Sequence, residues 1–429
     1  MGERERDYSH SQKSATDCLR VEEYQMPTKR IETAADPTRR QFLRKSFAGV
    51  GWMMAGTTLS QCSSSDGGGA TMSNIANLGP LGEPDANGLR LPEGFTSRII
   101  ARSGVEVGGS GYAWHNAPDG GAVFTTDDGG WIYVSNSESP AGLTGGAGAV
   151  RFSSNGDIVD AYRILGDTFL NCAGGDTPWG TWLSCEEREK GQVWECDPLG
   201  ESDAVVRPAM GTFEHEAVAV DEANLHAYLT EDVVDGRLYR FVYDAPRDLS
   251  AGELQVAEVM GGGPEGAVEW RTVPDPSAAS LETRYQVASS TPFTGGEGIW
   301  NHNGVIYFAT KGDNRVWTYE TDTSMLTILY DAATSSTPIL KGVDNLTVTP
   351  DGDVVVGEDG DDMQIVAISA EDTVVPLVQV TGQDLSEVTG PAFGPSLQRL
   401  YFSSQRGIDG LDILGFSGVT YEVSGPFFV

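Results

Sequence analysis

"VDNLTVTPDGDVVVGEDG", residues 343–360, runs through a strand, a tight polar turn, a second strand and a cluster of acids. The same order recurs in "HEAVAVDEANLHAYLTED" (215–232), "GEGIWNHNGVIYFATKGD" (296–313) and "VTGPAFGPSLQRLYFSSQ" (388–405). A compressed version reads "TPWGTWLSCEER" (177–188), and "DDGGWIYVSNSE" (127–138) is the second half of another copy. The polar ends fall near Asn136, Glu186, Glu231, Asp313, Glu358 and Gln405, at gaps of 50, 45, 82, 45 and 47 residues. The wide gap holds an insertion near residues 245–290. A further strand of the "GxxYxF" kind follows several copies, as in "GRLYRFVYD" from Gly236. A period of 45–50 residues with several strands per unit predicts an all-β, six-bladed β-propeller over residues 81–429. A β-sandwich also has many strands but does not repeat at this length.

Blade geometry then places the unusual acids. The innermost strand of a blade lines the central channel, and the next runs antiparallel beside it. The start of the first and the end of the second therefore share one mouth. Glu216 starts a strand whose partner ends in Glu231 and Asp232. Glu297 stands to Asp313, and Asp344 or Asn345 to Glu358 and Asp359, in the same way. Asn136, Glu138, Glu186 and Glu187 also end second strands. Carboxylates crowded at one mouth repel unless they are protonated, solvated or neutralised by cations. Oxygen-only clusters suit calcium, and carboxylates beside a thiolate suit a transition metal such as iron. The competing reading of any one of these acids is a plain turn former. Lone His215 reads as a core residue or as support to a ligand.

The chain carries 28 basic and 62 acidic residues, a formal charge of -34. That excludes a nucleic-acid binder working through a basic field. The N-terminal 61 residues read as a processed export signal. Thr38-Arg39-Arg40-Gln41-Phe42-Leu43-Arg44 resembles the twin-arginine motif, and the apolar run Phe47 to Leu59 is too short to span a bilayer. Met26 is a candidate start. Leu59-Ser60-Gln61-Cys62 resembles a lipoprotein cleavage box, with residues 62–80 as a flexible tether. The expected destination is the periplasm or cell envelope, with membrane attachment only through a lipidated Cys62. Disulfides are allowed there. Cys185 and Cys196 sit on neighbouring elements and are expected to pair across strands, leaving Cys172 as a thiol; the alternative for Cys172 is a small buried hydrophobe.

"NCAGGDTPWGTWLSCEE" (171–187), "FEHEAVAVDEANLHAYLTED" (213–232), "DNLTVTPDGDVVVGEDG" (344–360) and "GPAFGPSLQRLYFSSQ" (390–405) resemble the PhoX-type alkaline phosphatases, over about residues 90–425. The resemblance implies twin-arginine export, a six-bladed propeller, calcium and iron at the channel mouth, and metal-assisted cleavage of a small phosphate ester by a monomer. It implies that Cys172 is the iron-binding thiolate and that Glu216 and Glu297 belong to the metal cluster, these three carrying catalysis. Glu186, Glu187, Glu231, Asp232, Asn345, Glu358 and Asp359 complete the expected ligand set. Two positions depart from the family. Gly295 stands where an arginine is expected, with Lys311, Arg315 or Arg406 as candidate substitutes, and Ser137 stands where a histidine is expected. These departures keep open a non-catalytic calcium-binding propeller and a lactonase-like propeller hydrolase.

Overall fold

The computed structural model describes residues 72–140, 142–143, 145–360, 362–408 and 414–429. The expected export signal, the candidate start at Met26 and the lipidation site at Cys62 lie outside the described residues.

Apart from short 3-10 turns, the described elements are all strands. Residues 118–165 and 171–206 each form a four-stranded antiparallel meander. The strands between 215 and 331 form a nine-stranded sheet. It consists of two meanders joined at their outer edges, where Gly266–Thr272 pairs with Met325–Asp331. Residues 343–380 make a sheet edged by Leu89–Arg90, and residues 388–424 one edged by Thr96–Arg102. The first strand of each meander packs against the first strand of the next. Val388–Phe393 returns to pack on Pro118–Thr125, so the arrangement closes into a propeller.

That closure explains the sequence pattern. His215–Asp221 and Val343–Val348 are buried along their whole length, covered on both faces, and so read as nearly continuous apolar runs. The core is divided among the gaps between adjacent sheets. Leu183, Cys185 and Val193 of one sheet pack on Val218, Leu229 and Phe241 of the next. Trp131, Phe152 and Tyr401 join the first sheet to the last, with ring centroids 5.5 and 5.2 Å apart. The two ends of the described chain meet against the last two sheets, Met72 N donating to Val429 O at 2.8 Å and Val429 N to Met72 O at 2.9 Å.

Three expectations need correction. The flexible tether ends earlier than residue 80, because Ile75 is fully buried against the last two sheets and Asn74 N bonds Phe427 O at 2.8 Å. The hairpin at 177–188 is not compressed. Its first strand is Asn171–Asp176, hidden in the sequence because it is glycine-rich; a Cβ on Gly175 would lie 1.8 Å from Val218 O of the next strand. The stretch expected as an insertion, 245–290, carries two outer strands, Asp248–Val259 and Gly266–Thr272, of which the second joins the two meanders. Cys185 and Cys196 do not pair, and with Cys172 both are free. Cys185 faces Val193 and Cys196 faces Trp182 across the same ladder, an odd offset of three residues. Side chains alternate along a strand, so the two thiols point to opposite faces, into different core clusters.

Candidate metal centre

Six hairpins among the described residues share one construction. The ladder between the innermost strand and its neighbour ends at the pairs Pro118–Ser137, Asn171–Glu186, His215–Glu231, Gly296–Thr310, Val343–Glu358 and Val388–Ser404. The residue after the first member of each pair is Asp119, Cys172, Glu216, Glu297, Asp344 or Thr389. The residue after the second member is Glu138, Glu187, Asp232, Lys311, Asp359 or Gln405. Two concentric sets of side chains thus ring one mouth. In the first five hairpins a register shift follows the terminal pair, and the inner residue falls within the resulting bulge. A bulge re-aims a side chain out of the regular pleat, here toward the mouth.

The inner and outer residues meet in three overlapping groups. Asp119, Glu138 and Cys172 form one; Cys172, Glu187 and Glu216 a second; Glu216, Glu297 and Asp344 a third. Within each group the ligand atoms lie within 4.8 Å of one another. The Cys172 thiol is 3.4 Å from Glu216 Oε1 and 3.6 Å from Asp119 Oδ2. Gln405 Nε2 donates to Asp119 Oδ2 at 2.6 Å and to Glu138 Oε2 at 2.7 Å, fixing both carboxylates. Glu216 Oε2 is buried with no hydrogen-bond partner. Lys311 Nζ lies 2.8 Å from Glu297 Oε1, an ion-pair contact rather than an aligned hydrogen bond. It is also 3.4 Å from Asp232 and 3.5 Å from Asp359. Below the ring the inner strands close together, leaving a cavity of ≈ 30 Å³ lined by residues such as Gly120, Ala173, Ala217, Gly298 and Gly390. That is room for about one water.

Packing so many acids together shifts their protonation. Burial, reinforced by neighbouring carboxylates, pushes Asp119, Glu187 and Glu216 well above the usual carboxylate range. Burial raises Glu297 as well, against the pull of Lys311. Asp344 is pushed up to about 7, chiefly by burial. Burial and the surrounding carboxylates hold the Cys172 thiol protonated, well above its ordinary value. Burial alone would lower Lys311, but Glu297, Asp344, Asp232 and Asp359 outweigh it and raise the ammonium.

The ring brings together Cys172, Glu187, Glu216 and Glu297, with Asp232 and Asp359 at the same rim. It does not bring in four other expected ligands. Glu186 accepts from Arg188 (2.9 Å) and Gln192 N (3.2 Å). Glu231 is held by Tyr239 (2.9 Å), Arg284 (3.0 Å) and Arg237 N (3.1 Å). Glu358 accepts from Lys341 N (2.9 Å) and Gln364 N (3.0 Å). Adjacent residues of a strand face opposite ways, so only the second member of each acidic doublet reaches the mouth. Asn345 is a strut rather than a ligand: its Oδ1 accepts Gly390 N (2.8 Å) and its Nδ2 donates to Asp344 (2.8 Å). Asp313 is tied to Arg315 at 2.8 Å, and His215 is a core residue stacked 3.6 Å from Phe213. Burial lowers the pKa of His215 to about 3, so it is neutral.

Sequence reasoning missed Asp119, hidden in the turn-like "APDGG", and Glu387 beside the last hairpin, and it placed Gln405 at a polar strand end without a role in the site. Glu387 is buried, and burial, reinforced by Asp359, Asp344 and Asp119, raises its pKa well above the usual carboxylate range, with Arg406 Nη2 at 3.2 Å. The signal that finds Asp119 is its place one residue past the ladder end. Of the three candidate substitutes for a guanidinium near Gly295, Lys311 lies in the ring and Arg406 at its rim. Arg315 is committed to Asp313 and Asp331. Gly295 itself has φ +64, and a Cβ there would meet Asp232 Oδ1 at 3.1 Å. Ser137 donates to Asn116 O at 2.7 Å and turns away from the ring.

A family model described as alkaline phosphatase PhoX matches residues 116–195 and 188–407. Among solved structures, PhoX of Pseudomonas fluorescens in complex with vanadate, a transition state analogue, is similar at 16% identity. That match covers 81% of this chain and 97% of the other, with a TM-score of 0.66. A gluconolactonase of Xanthomonas campestris is 10% identical over 81% of this chain and 98% of its own, with a TM-score of 0.43. A search of curated protein sequences found no match.

Proposed function

This chain belongs to the alkaline phosphatase PhoX family, and from that premise we propose that it is an exported, metal-dependent hydrolase of phosphate monoesters. The observation that carries the reading is the convergence of six carboxylates and one thiol in three overlapping groups at a single mouth. The residues fit cations on chemical grounds. Glu216 Oε2 is a buried oxygen without a partner, and buried carboxylates in contact must bind either protons or metal. The two groups that contain Cys172 would hold iron, and Glu216, Glu297 and Asp344, all oxygen, would hold calcium. Bound there, such ions would supply Lewis-acid stabilisation of charge on phosphoryl oxygens.

The chain's own side chains do the rest. Gln405 orients Asp119 and Glu138 by its amide. Arg406, with its side chain 26% exposed beside Glu387, is the guanidinium at the rim and would meet anionic oxygens arriving from solvent. Counting the two meanders of the nine-stranded sheet separately gives six blades, in keeping with the sequence repeat. The twin-arginine route delivers folded protein, so metals would be loaded before export to the periplasm or cell envelope. There the monomer would stand free or be held by a lipidated Cys62.

The test is hydrolysis of a chromogenic phosphate ester, with metal analysis, on protein made through the folded export route. Activity is expected to vanish with a chelator. Fully metallated protein that hydrolyses none of it sinks the proposal. One observation favours a second reading, a non-catalytic calcium-binding propeller. The site's ammonium is already paired with Glu297 and Gly295 offers no cation of its own. Calcium-dependent stabilisation without turnover would identify that case.

A further inference from the structure

We infer that Lys311 is a built-in cation standing in one ligand position of the ring, and that it keeps a further divalent metal ion, beyond the one that Glu216, Glu297 and Asp344 would share, from settling between Glu297, Asp344 and position 311. The inference rests on the metal-dependent reading above and concerns how many ions the mouth holds.

The ladder register makes the case. Position 311 follows the terminal pair Gly296–Thr310 as Glu138, Glu187, Asp232 and Asp359 follow theirs. The backbone repeats as well. Lys311 N donates to Gly295 O (2.8 Å) as Glu187 N does to Leu170 O (2.7 Å) and Asp359 N to Gly342 O (2.8 Å). Four hairpins put an acid at this position; the hairpin of Gln405 puts an amide there, and the hairpin of Gly296–Thr310 alone puts a base. The outer residue of a hairpin groups with the inner residues of its own and the next hairpin: Glu138 with Asp119 and Cys172, Glu187 with Cys172 and Glu216. By that rule position 311 serves the sector of Glu297 and Asp344. The ammonium lies 2.8 Å from Glu297 and within 3.5 Å of Asp232 and Asp359. A lysine for a carboxylate changes the local charge by two units, and like charges a few ångströms apart repel strongly in a buried site. Three carboxylates that could otherwise gather a hard cation instead share a tethered one, which offsets one of their charges and occupies the space between them.

The experiment counts calcium per chain by metal analysis after equilibration with excess calcium, on wild type, Lys311→Glu, Lys311→Met and Lys311→Arg. Lys311→Glu restores the acid of the other hairpins, and Lys311→Met removes only the charge. Each is expected to hold about one calcium more than wild type, with a larger calcium-induced rise in Tm. Lys311→Arg keeps the charge and is expected to match wild type. Should Lys311→Glu fail to fold, Lys311→Met decides. Equal calcium in wild type, Lys311→Glu and Lys311→Met overturns the assignment, as does a gain in Lys311→Arg. Wild-type protein that holds no metal defeats the metal-dependent reading, whereas the difference between variant and wild type tests Lys311 itself.

Discussion

Stripping the metals from this protein and raising the pH should destabilise it, and calcium should reverse that trend. Asp344 is raised by burial from an ordinary value of 3.8 to about 7, and Asp119, Glu187, Glu216 and Glu297 are raised with it. A carboxyl whose folded pKa exceeds its unfolded one binds more protons in the folded state. Its stability is fully present below the unfolded value and is lost as pH rises through the folded one. For Asp344 the window is about pH 4 to 7. Three pKa units at 1.36 kcal/mol each give a loss of at most about 4 kcal/mol, an upper bound because its neighbours share protons with it. Calcium takes the place of those protons, so its affinity grows over the same window. At a hundredfold excess over Kd it contributes about 2.7 kcal/mol. The assay is a series of thermal melts between pH 5 and 8, with chelator or calcium, at low salt and at about 0.5 M salt. High salt screens repulsion among surface acids and leaves the buried term. A chelated protein whose Tm stays flat or rises from pH 5 to 8 at high salt would falsify the account, as would calcium stabilisation that shrinks with pH.

Other substitutions separate the parts of the site. Cys172→Ser should lower iron by at least half in metal analysis while calcium and the far-ultraviolet circular dichroism spectrum stay unchanged, because a hydroxyl is a poor substitute for a thiolate. Glu297→Gln should keep the fold, lower calcium content and abolish phosphate-ester hydrolysis; a turn residue would lose only a hydrogen bond, about 1 kcal/mol. Glu231→Ala should cost about 3–5 kcal/mol in denaturant melts, since it strips Arg284, Tyr239 and Arg237 N of one buried acceptor. It should leave metal content as in wild type, so a loss of metal there would return Glu231 to the ligand set.

Legibility in the sequence followed the range of the interaction that sets each feature. The hairpins were readable because each is local: two apolar runs, a polar turn and a length that repeats. The joint between Gly266–Thr272 and Met325–Asp331 was not, because it pairs edges more than fifty residues apart with no turn between them. The strand Asn171–Asp176 carries no apolar alternation, since the approach of Val218 leaves room only for glycine at position 175. At the site, strand ends located Glu187, Glu216 and Glu297, and only the family resemblance located Cys172; strand ends alone do not fix which face a residue takes. Asp344 and Asn345 illustrate this: neighbours in the chain, one joins the ring and the other ties Gly390 to it.

The acidic doublets resolve once that alternation is combined with the turn each hairpin makes. Glu186 accepts Gln192 N, Glu231 accepts Arg237 N and Glu358 accepts Gln364 N, at 3.2, 3.1 and 3.0 Å, each six residues on. The first glutamate of a doublet therefore pins the loop that leads from the second strand to the third. It turns away from the mouth because it must reach that backbone. The second acid has no such duty and projects over the channel. Hairpins without the first glutamate close differently: Ser137 donates to Asn116 O, and Thr310 accepts the Trp317 indole N–H at 2.8 Å. In those hairpins, and in the one that ends at Ser404, the outer position is Glu138, Lys311 or Gln405, so its identity does not depend on how the loop is held. The fold thus fixes where the outer side chains stand and leaves their charge free to vary. A cluster built this way can change the number of ions it holds by single substitutions, without disturbing the loops that keep the ladders in register.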